Sequence, residues 1–134
     1  MQKKQPISGQ TSEKTILIVD DDSDIGETLC SIILDQTNYR ALWIAESDLA
    51  LEAAFHVKPA LILLDYMMPT LNGLQLFDYM QRLEHMRGVP VVLISAKSSL
   101  PFEQMRKKGI HFLPKPFELD EILNLVKTLV GDGK

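Results

Sequence analysis

Short apolar runs alternate with helix-spaced stripes from Thr15 to Val130. Thr15-Ile16-Leu17-Ile18-Val19 is a β-branched run that stops at Asp20-Asp21-Asp22, which predicts a first buried strand. Ile25, Leu29, Ile32 and Ile33 then follow one helical face, with Asp22 or Ser23 as the cap and Asn38 as the close. Tyr39 to Ala45 predicts a second strand, with Trp43 near the sheet edge, and Ser47 to Val57 an alanine-rich helix. Between Pro59 and Pro69, the run Leu61-Ile62-Leu63-Leu64 ends abruptly in Asp65. A run of that kind is a strand buried on both faces. A loop from Tyr66 to Asn72 leads to a third helix striped by Leu74, Phe77, Met80 and Leu83. Val89 to Ile94 is a fourth strand ending at Ser95. Pro101 suits the first turn of a short fourth helix with Phe102 and Met105 on its thin apolar face, and Gly109 ends it. Ile110 to Leu113 is the last strand. The fifth helix, Glu118 to Val130, turns Leu119, Ile122, Leu123, Val126, Leu129 and Val130 inward.

Five buried runs joined by helical crossovers require a parallel sheet with helices on both faces, an α/β architecture. The expected organisation is a disordered leader over residues 1–13, one domain over 14–131 and a short tail over 132–134. A chain of 134 residues, 46% hydrophobic, is enough for one core. Its charge of −4 argues against direct nucleic-acid binding. The single cysteine, Cys30, can form neither an internal disulfide nor a zinc site alone, and no apolar run reaches membrane length. A cytoplasmic location without membrane contact is the expectation. His56, His85 and His111 share no metal-ligand spacing and read as structural or exposed. Met67, Met68, Met80, Met86 and Met105 read as packing residues. The segment Gly131-Asp132-Gly133-Lys134 lacks the spacing of a phosphate loop.

In a parallel sheet all strands end at one edge, and ligands gather there. The acids at 20–22, Asp65, Ser95 and Lys115 all follow strands and would meet. Two carboxylates 4 Å apart repel by about 4 kcal/mol at an effective dielectric near 20. A divalent cation removes that cost, and an oxygen-only donor set selects Mg²⁺, with Mn²⁺ as substitute. The chemistry that fits is phosphoryl transfer to a carboxylate, with Asp65 as nucleophile and Lys115 and Ser95 on the phosphoryl oxygens. Met67 and Ala96 would contribute backbone groups.

The chain resembles the receiver domain of two-component response regulators. The matching pieces are Ile18-Val19-Asp20-Asp21-Asp22, Leu63-Leu64-Asp65-Tyr66-Met67-Met68-Pro69 with Asn72-Gly73, Ile94-Ser95-Ala96, and Leu113-Pro114-Lys115-Pro116-Phe117. The resemblance implies a flavodoxin-like (βα)5 three-layer sandwich with strand order 2-1-3-4-5, an order for which a chemotaxis relative is the standard example. It implies that Asp20, Asp21, Asp65 and the Met67 carbonyl hold the metal. Asp65 would accept the phosphoryl group from a phosphohistidine of a sensor histidine kinase or histidine phosphotransfer protein. Ser95, the Ala96 N–H and Lys115 would contact it. Ser95 and Phe112 would switch, and Lys115-Pro116 would be a cis peptide. Output would use the fourth helix, fifth strand and fifth helix, toward an unnamed protein or a second copy.

Two departures stand out: the stretch from Ser95 to Lys115 is slightly shorter than usual, and Met67 and Lys97 occupy the positions that tune phosphate lifetime. The domain would assist its own phosphorylation and dephosphorylation without a turnover substrate. The alternative is a receiver-like interaction module that works without phosphate. An aspartyl-phosphate phosphatase is disfavoured, because Met67 stands where such enzymes use a second acid.

Overall fold

The computed structural model describes residues 14–131; the expected leader and tail lie outside them. Five strands, β1 (Thr15–Val19), β2 (Arg40–Ile44), β3 (Leu61–Asp65), β4 (Val91–Ser95) and β5 (His111–Pro114), form one parallel sheet in the order β2-β1-β3-β4-β5. Between and after them run α1 (Ser23–Gln36), α2 (Ser47–Ala54), α3 (Gly73–Met80), α4 (Phe102–Lys107) and α5 (Leu119–Val130), with a 3₁₀ turn at Glu84–Met86. This is the flavodoxin-like arrangement that the resemblance implies.

Alternation along the strands divides the core. Leu17, Val19, Ile62, Leu64 and Leu93 point to one side, where Ala50, Leu76, Met80 and Met105 cover them. Ile16, Ile18, Leu61, Leu63, Val92 and Ile94 point to the other, beneath Leu29, Ile33, Ile122 and Val126. β3 and β4 are buried throughout. That explains why their sequences read as unbroken apolar runs.

Several ends differ from expectation. α2 stops at Ala54, where Phe55 and His56 amides turn back to Glu52 and Ala53 carbonyls ahead of Pro59. Leu83 lies beyond α3, packed on the core from the turn that follows. α1 closes on Thr37, whose hydroxyl donates to the Ile33 carbonyl at 2.7 Å, so the Asn38 expectation is one residue late. β4 begins at Val91 and β5 at His111, each later than expected. Leu119 is 46% exposed, because the first residue of α5 overshoots the sheet, and Leu125 packs inward with Leu123 instead. Met67 is 58% exposed, on a loop rather than in the core. His85 is structural, its Nε2 2.6 Å from the Ala54 carbonyl. Among the described residues, no helix is long and apolar enough to cross a membrane.

Candidate functional site

Strand register builds the site. Val19 is level with Leu64, so the next residues on these adjacent strands, Asp20 and Asp65, are level as well. Both continue the face of Ile18 and Leu63, since side chains alternate along a strand. Asp65 is in turn level with Ile94, and Ser95 with Pro114. The Lys115 N–H donates to the Ser95 carbonyl at 2.9 Å, which ties the residue after β5 to the end of β4.

The result is one pocket. Lys115 Nζ lies 3.3 Å from Asp20 Oδ2 and 3.3 Å from Asp65 Oδ1. Asp20 and Asp65 are 1% and 5% exposed, while Asp21 is exposed. A carboxylate oxygen from each of the three lies within 4.8 Å of the others. Asp20 Oδ1 accepts the Asp22 N–H at 2.9 Å, and Asp22 caps α1 by accepting the Asp24 N–H. Asp22 thus serves the helix. Asp20 Oδ2 is buried and, despite the nearby ammonium, makes no aligned hydrogen bond. A buried acceptor left so is costly. Two buried acids, an open third and an unsatisfied oxygen form a donor set suited to a hard divalent cation such as Mg²⁺.

The electrostatics agree. Burial pushes the Asp65 carboxyl up to about 6, the Asp20 charge adds to the rise, and Lys115 opposes it. Asp20 is also raised, by burial above all. Burial disfavours the Lys115 charge, but Asp65 and Asp20 outweigh it and hold the ammonium above its ordinary range. Two acids thus share one cation and remain short of positive charge.

The other expected residues lie in different surroundings. Ser95 is buried and its hydroxyl accepts the Lys97 N–H at 3.0 Å, an engagement local to its own loop rather than with the carboxylates. Ala96 is exposed beside Lys115, on a small apolar hollow shared with Ile25, Thr28 and Phe117. Lys115-Pro116 is a cis peptide. Phe112 is half-buried, its ring edge-on to Phe102 at 5.2 Å and 77°. Phe102 is 44% exposed, so it belongs to this aromatic pair more than to the core. Met67 follows Asp65 on the loop to α3.

Trp43, two glycines and a helix cap also support the site. The Trp43 indole donates to the Asp20 carbonyl at 2.8 Å and lies on Gly26 of α1, where a Cβ would stand 2.2 Å from Trp43 Cε2. A glycine inside a helical stripe was the available signal for such a close approach. Gly73 lets α3 start against Asp65, where a Cβ would meet the Asp65 carbonyl at 2.8 Å. Asn72 caps α3 in a reciprocal box with Gln75, legible from the Asn-x-x-Gln spacing.

Comparison with known proteins agrees with this geometry. The model of the response regulator receiver domain matches residues 16–127. The phosphate regulon transcriptional regulatory protein PhoB of Escherichia coli is 29% identical over 122 residues, 87% of this chain and 52% of PhoB. The DNA-binding response regulator MtrA of Mycobacterium tuberculosis is 31% identical over 120 residues, 88% of this chain and 51% of MtrA. The chain therefore spans about half the length of the curated relatives it matches. Among solved structures, chemotaxis protein CheY4 of Vibrio cholerae superposes with a TM-score of 0.80 at 21% identity, covering 88% of this chain and 99% of CheY4. The receiver domain of a Pseudomonas aeruginosa sensor histidine kinase, solved with magnesium coordinated in its active-site cleft, gives 0.75 at 24% identity, covering 90% and 99%. With its five-stranded order, its gathered acids and a family match over most of its length, the chain belongs to the response regulator receiver domain family.

Proposed function

We propose that this domain is a phosphorylation switch that takes a phosphoryl group onto Asp65 from a phosphohistidine of a partner sensor kinase or histidine phosphotransfer protein. The observation that carries this is the meeting of Asp65 with buried Asp20, open Asp21 and the Lys115 ammonium in one pocket. Asp65 ends a strand buried on both faces, so its carboxylate is held on a rigid element. At neutral pH it is mostly ionised, since its carboxyl titrates near 6. One carboxylate oxygen forms a bond to phosphorus as the phosphorus–nitrogen bond of the phosphohistidine breaks, and the leaving imidazole nitrogen keeps the electron pair. Lys115, already 3.3 Å from Asp65, stabilises the charge on the transferring oxygens as a point cation. Asp20, Asp21, Asp65 and the Met67 carbonyl would hold Mg²⁺ or Mn²⁺. A bound divalent ion would supply charge neutralisation to the acids and the phosphoryl oxygens. The magnesium in the Pseudomonas aeruginosa receiver domain supports this assignment.

Ser95 would release the Lys97 N–H and turn its hydroxyl to the phosphoryl group, with the Ala96 N–H as second donor. That movement frees space for Phe112 to leave Phe102 and turn inward. The α4, β5 and α5 face is then the surface read by a downstream protein or a second copy. The domain acts on itself and has no turnover substrate, and the two-component role goes with a cytoplasmic location. The test is incubation with acetyl phosphate, with and without Mg²⁺, followed by intact mass. A Mg²⁺-dependent phosphoryl adduct in the wild type, absent in Asp65→Asn, is expected. Binding to a histidine kinase with no adduct under any condition would instead make the domain a phosphate-independent interaction module.

A further inference from the structure

The loop from Tyr66 to Asn72 is anchored at both ends. The Tyr66 N–H donates to the Ile94 carbonyl at 3.0 Å and the Gly73 N–H to the Tyr66 carbonyl at 2.8 Å, while the Asn72–Gln75 box holds the other end. Its middle contains Thr70 at φ 71°, a left-handed conformation that a β-branched residue adopts only under constraint. A side chain from another element also braces this turn. The turn closes on itself, the Leu71 N–H donating to the Pro69 carbonyl at 2.8 Å, and the Ser47 hydroxyl, at the start of α2, adds a longer bond to each group: it donates to the Pro69 carbonyl at 3.2 Å and shares the Leu71 N–H at 3.3 Å. It thus bonds to the residue on each side of Thr70.

Ser47 has little other reason to be serine. It is 2% exposed, inside the first turn of a helix, where alanine has the higher propensity. The α2 N-cap is Glu46, which makes no side-chain cap bond, so the hydroxyl is not spent on the helix end. The turn it grips borders one of the three acids: Pro69, Thr70, Ser47 and Asp21 line a common cleft of about 410 Å³.

We propose that Ser47 is a positioning residue for the divalent-cation site. Its hydroxyl clamps the left-handed turn at Thr70 and so holds the loop that carries Met67 against the acid pocket. This rests on the proposed metal role of Asp20, Asp21, Asp65 and the Met67 carbonyl. The two bonds are long, so losing them shifts the loop's population rather than dismantling it. Ser47→Ala should keep α2 intact and weaken Mg²⁺ binding.

The experiment is a Mg²⁺ titration of the metal-free protein followed by the fluorescence of its one tryptophan, Trp43, whose indole is bonded to the Asp20 carbonyl. Ser47→Ala is expected to bind Mg²⁺ about three- to tenfold more weakly, the range expected for losing one modest hydrogen-bonded clamp. At saturating Mg²⁺ its labelling by acetyl phosphate should match the wild-type rate. In a Thr70→Gly background the same substitution should weaken binding less than about twofold, because glycine takes positive φ without constraint. Amide exchange at Leu63 and Leu64 should stay unchanged in Ser47→Ala, since the Leu71 N–H keeps its bond to the Pro69 carbonyl and β3 is untouched. Equal affinities for wild type and Ser47→Ala would overturn the clamp, as would an equal loss in both backgrounds or faster exchange throughout β3. A wild type that shows no Mg²⁺ response would overturn the acid pocket itself, and the clamp with it.

Discussion

The three central strands and the two edge strands of the sheet do different work. β1, β3 and β4 are buried almost throughout, and Asp20, Asp65 and Ser95 stand at their ends. β2 and β5 are half-open, with exposed residues at Arg40, Leu42, His111 and Pro114. Phe112 and Lys115 come from β5 and the residue after it. The proposed acceptor is therefore fixed to the part of the molecule that is buried throughout, and the aromatic and the ammonium to a more open part. The Lys115 ammonium between Asp20 and Asp65, its N–H on the Ser95 carbonyl and the Trp43 indole on the Asp20 carbonyl join the two halves at the pocket. A switch needs both properties: a rigid place for chemistry and a looser element whose equilibrium that chemistry can bias.

The largest test of this contrast is a core truncation. Leu63→Ala, in β3 and 1% exposed, should cost about 2–5 kcal/mol in urea unfolding. Leu42→Ala, on edge strand β2 and 38% exposed, should cost under about 1 kcal/mol. Comparable losses would erase the distinction between centre and edge.

A smaller effect concerns charge. The Asp65 carboxyl is raised from an ordinary 3.8 to about 6, so the native state binds more protons than the unfolded chain between these values. Stability of the metal-free protein should then rise as pH falls from about 7 to about 4 and be lost again as pH rises through about 6. Asp65→Asn should reduce this trend to the part that the buried, likewise raised Asp20 contributes, and stabilise the metal-free protein at pH 7 by about 1–2 kcal/mol. That figure is below the full equivalent of the shift because solvent reaches the pocket and screens it. Mg²⁺ at a hundred times its dissociation constant should stabilise the wild type by about 2.7 kcal/mol. Unfolding midpoints across pH, with and without Mg²⁺, check all three.

The smallest effect lies on the looser half. Phe102→Ala removes the edge-on partner of Phe112 and should cost about 0.5–1.5 kcal/mol, while the extent of Asp65 labelling stays at the wild-type level. A loss of labelling would tie α4 to the rigid half after all.

What was legible in the sequence follows the same division. The central strands read as apolar runs because burial on both faces leaves no room for polar alternation. Because the strands are parallel, the meeting of Asp20, Asp65 and Lys115 follows from where they end. Element ends were harder, because they depend on local bonds. Thr37 stops α1 through its own hydroxyl, and α2 ends where the Phe55 and His56 amides turn back to the Glu52 and Ala53 carbonyls. Leu119 and Phe102 carry apolar side chains at helix starts, where the stripe runs past the sheet it would cover. Ser47 and Trp43 reach the site from α2 and β2, and no spacing rule links them to the residues they hold.

The most direct measurement is the position of the phosphoryl group. Protein labelled with acetyl phosphate and Mg²⁺ can be reduced with borohydride, which converts an acyl phosphate to an alcohol, and then mapped by peptide mass. Reduction at Asp65 alone is the expected result; reduction at Asp20 or Asp21, or at no residue, would contradict the role of Asp65 as acceptor.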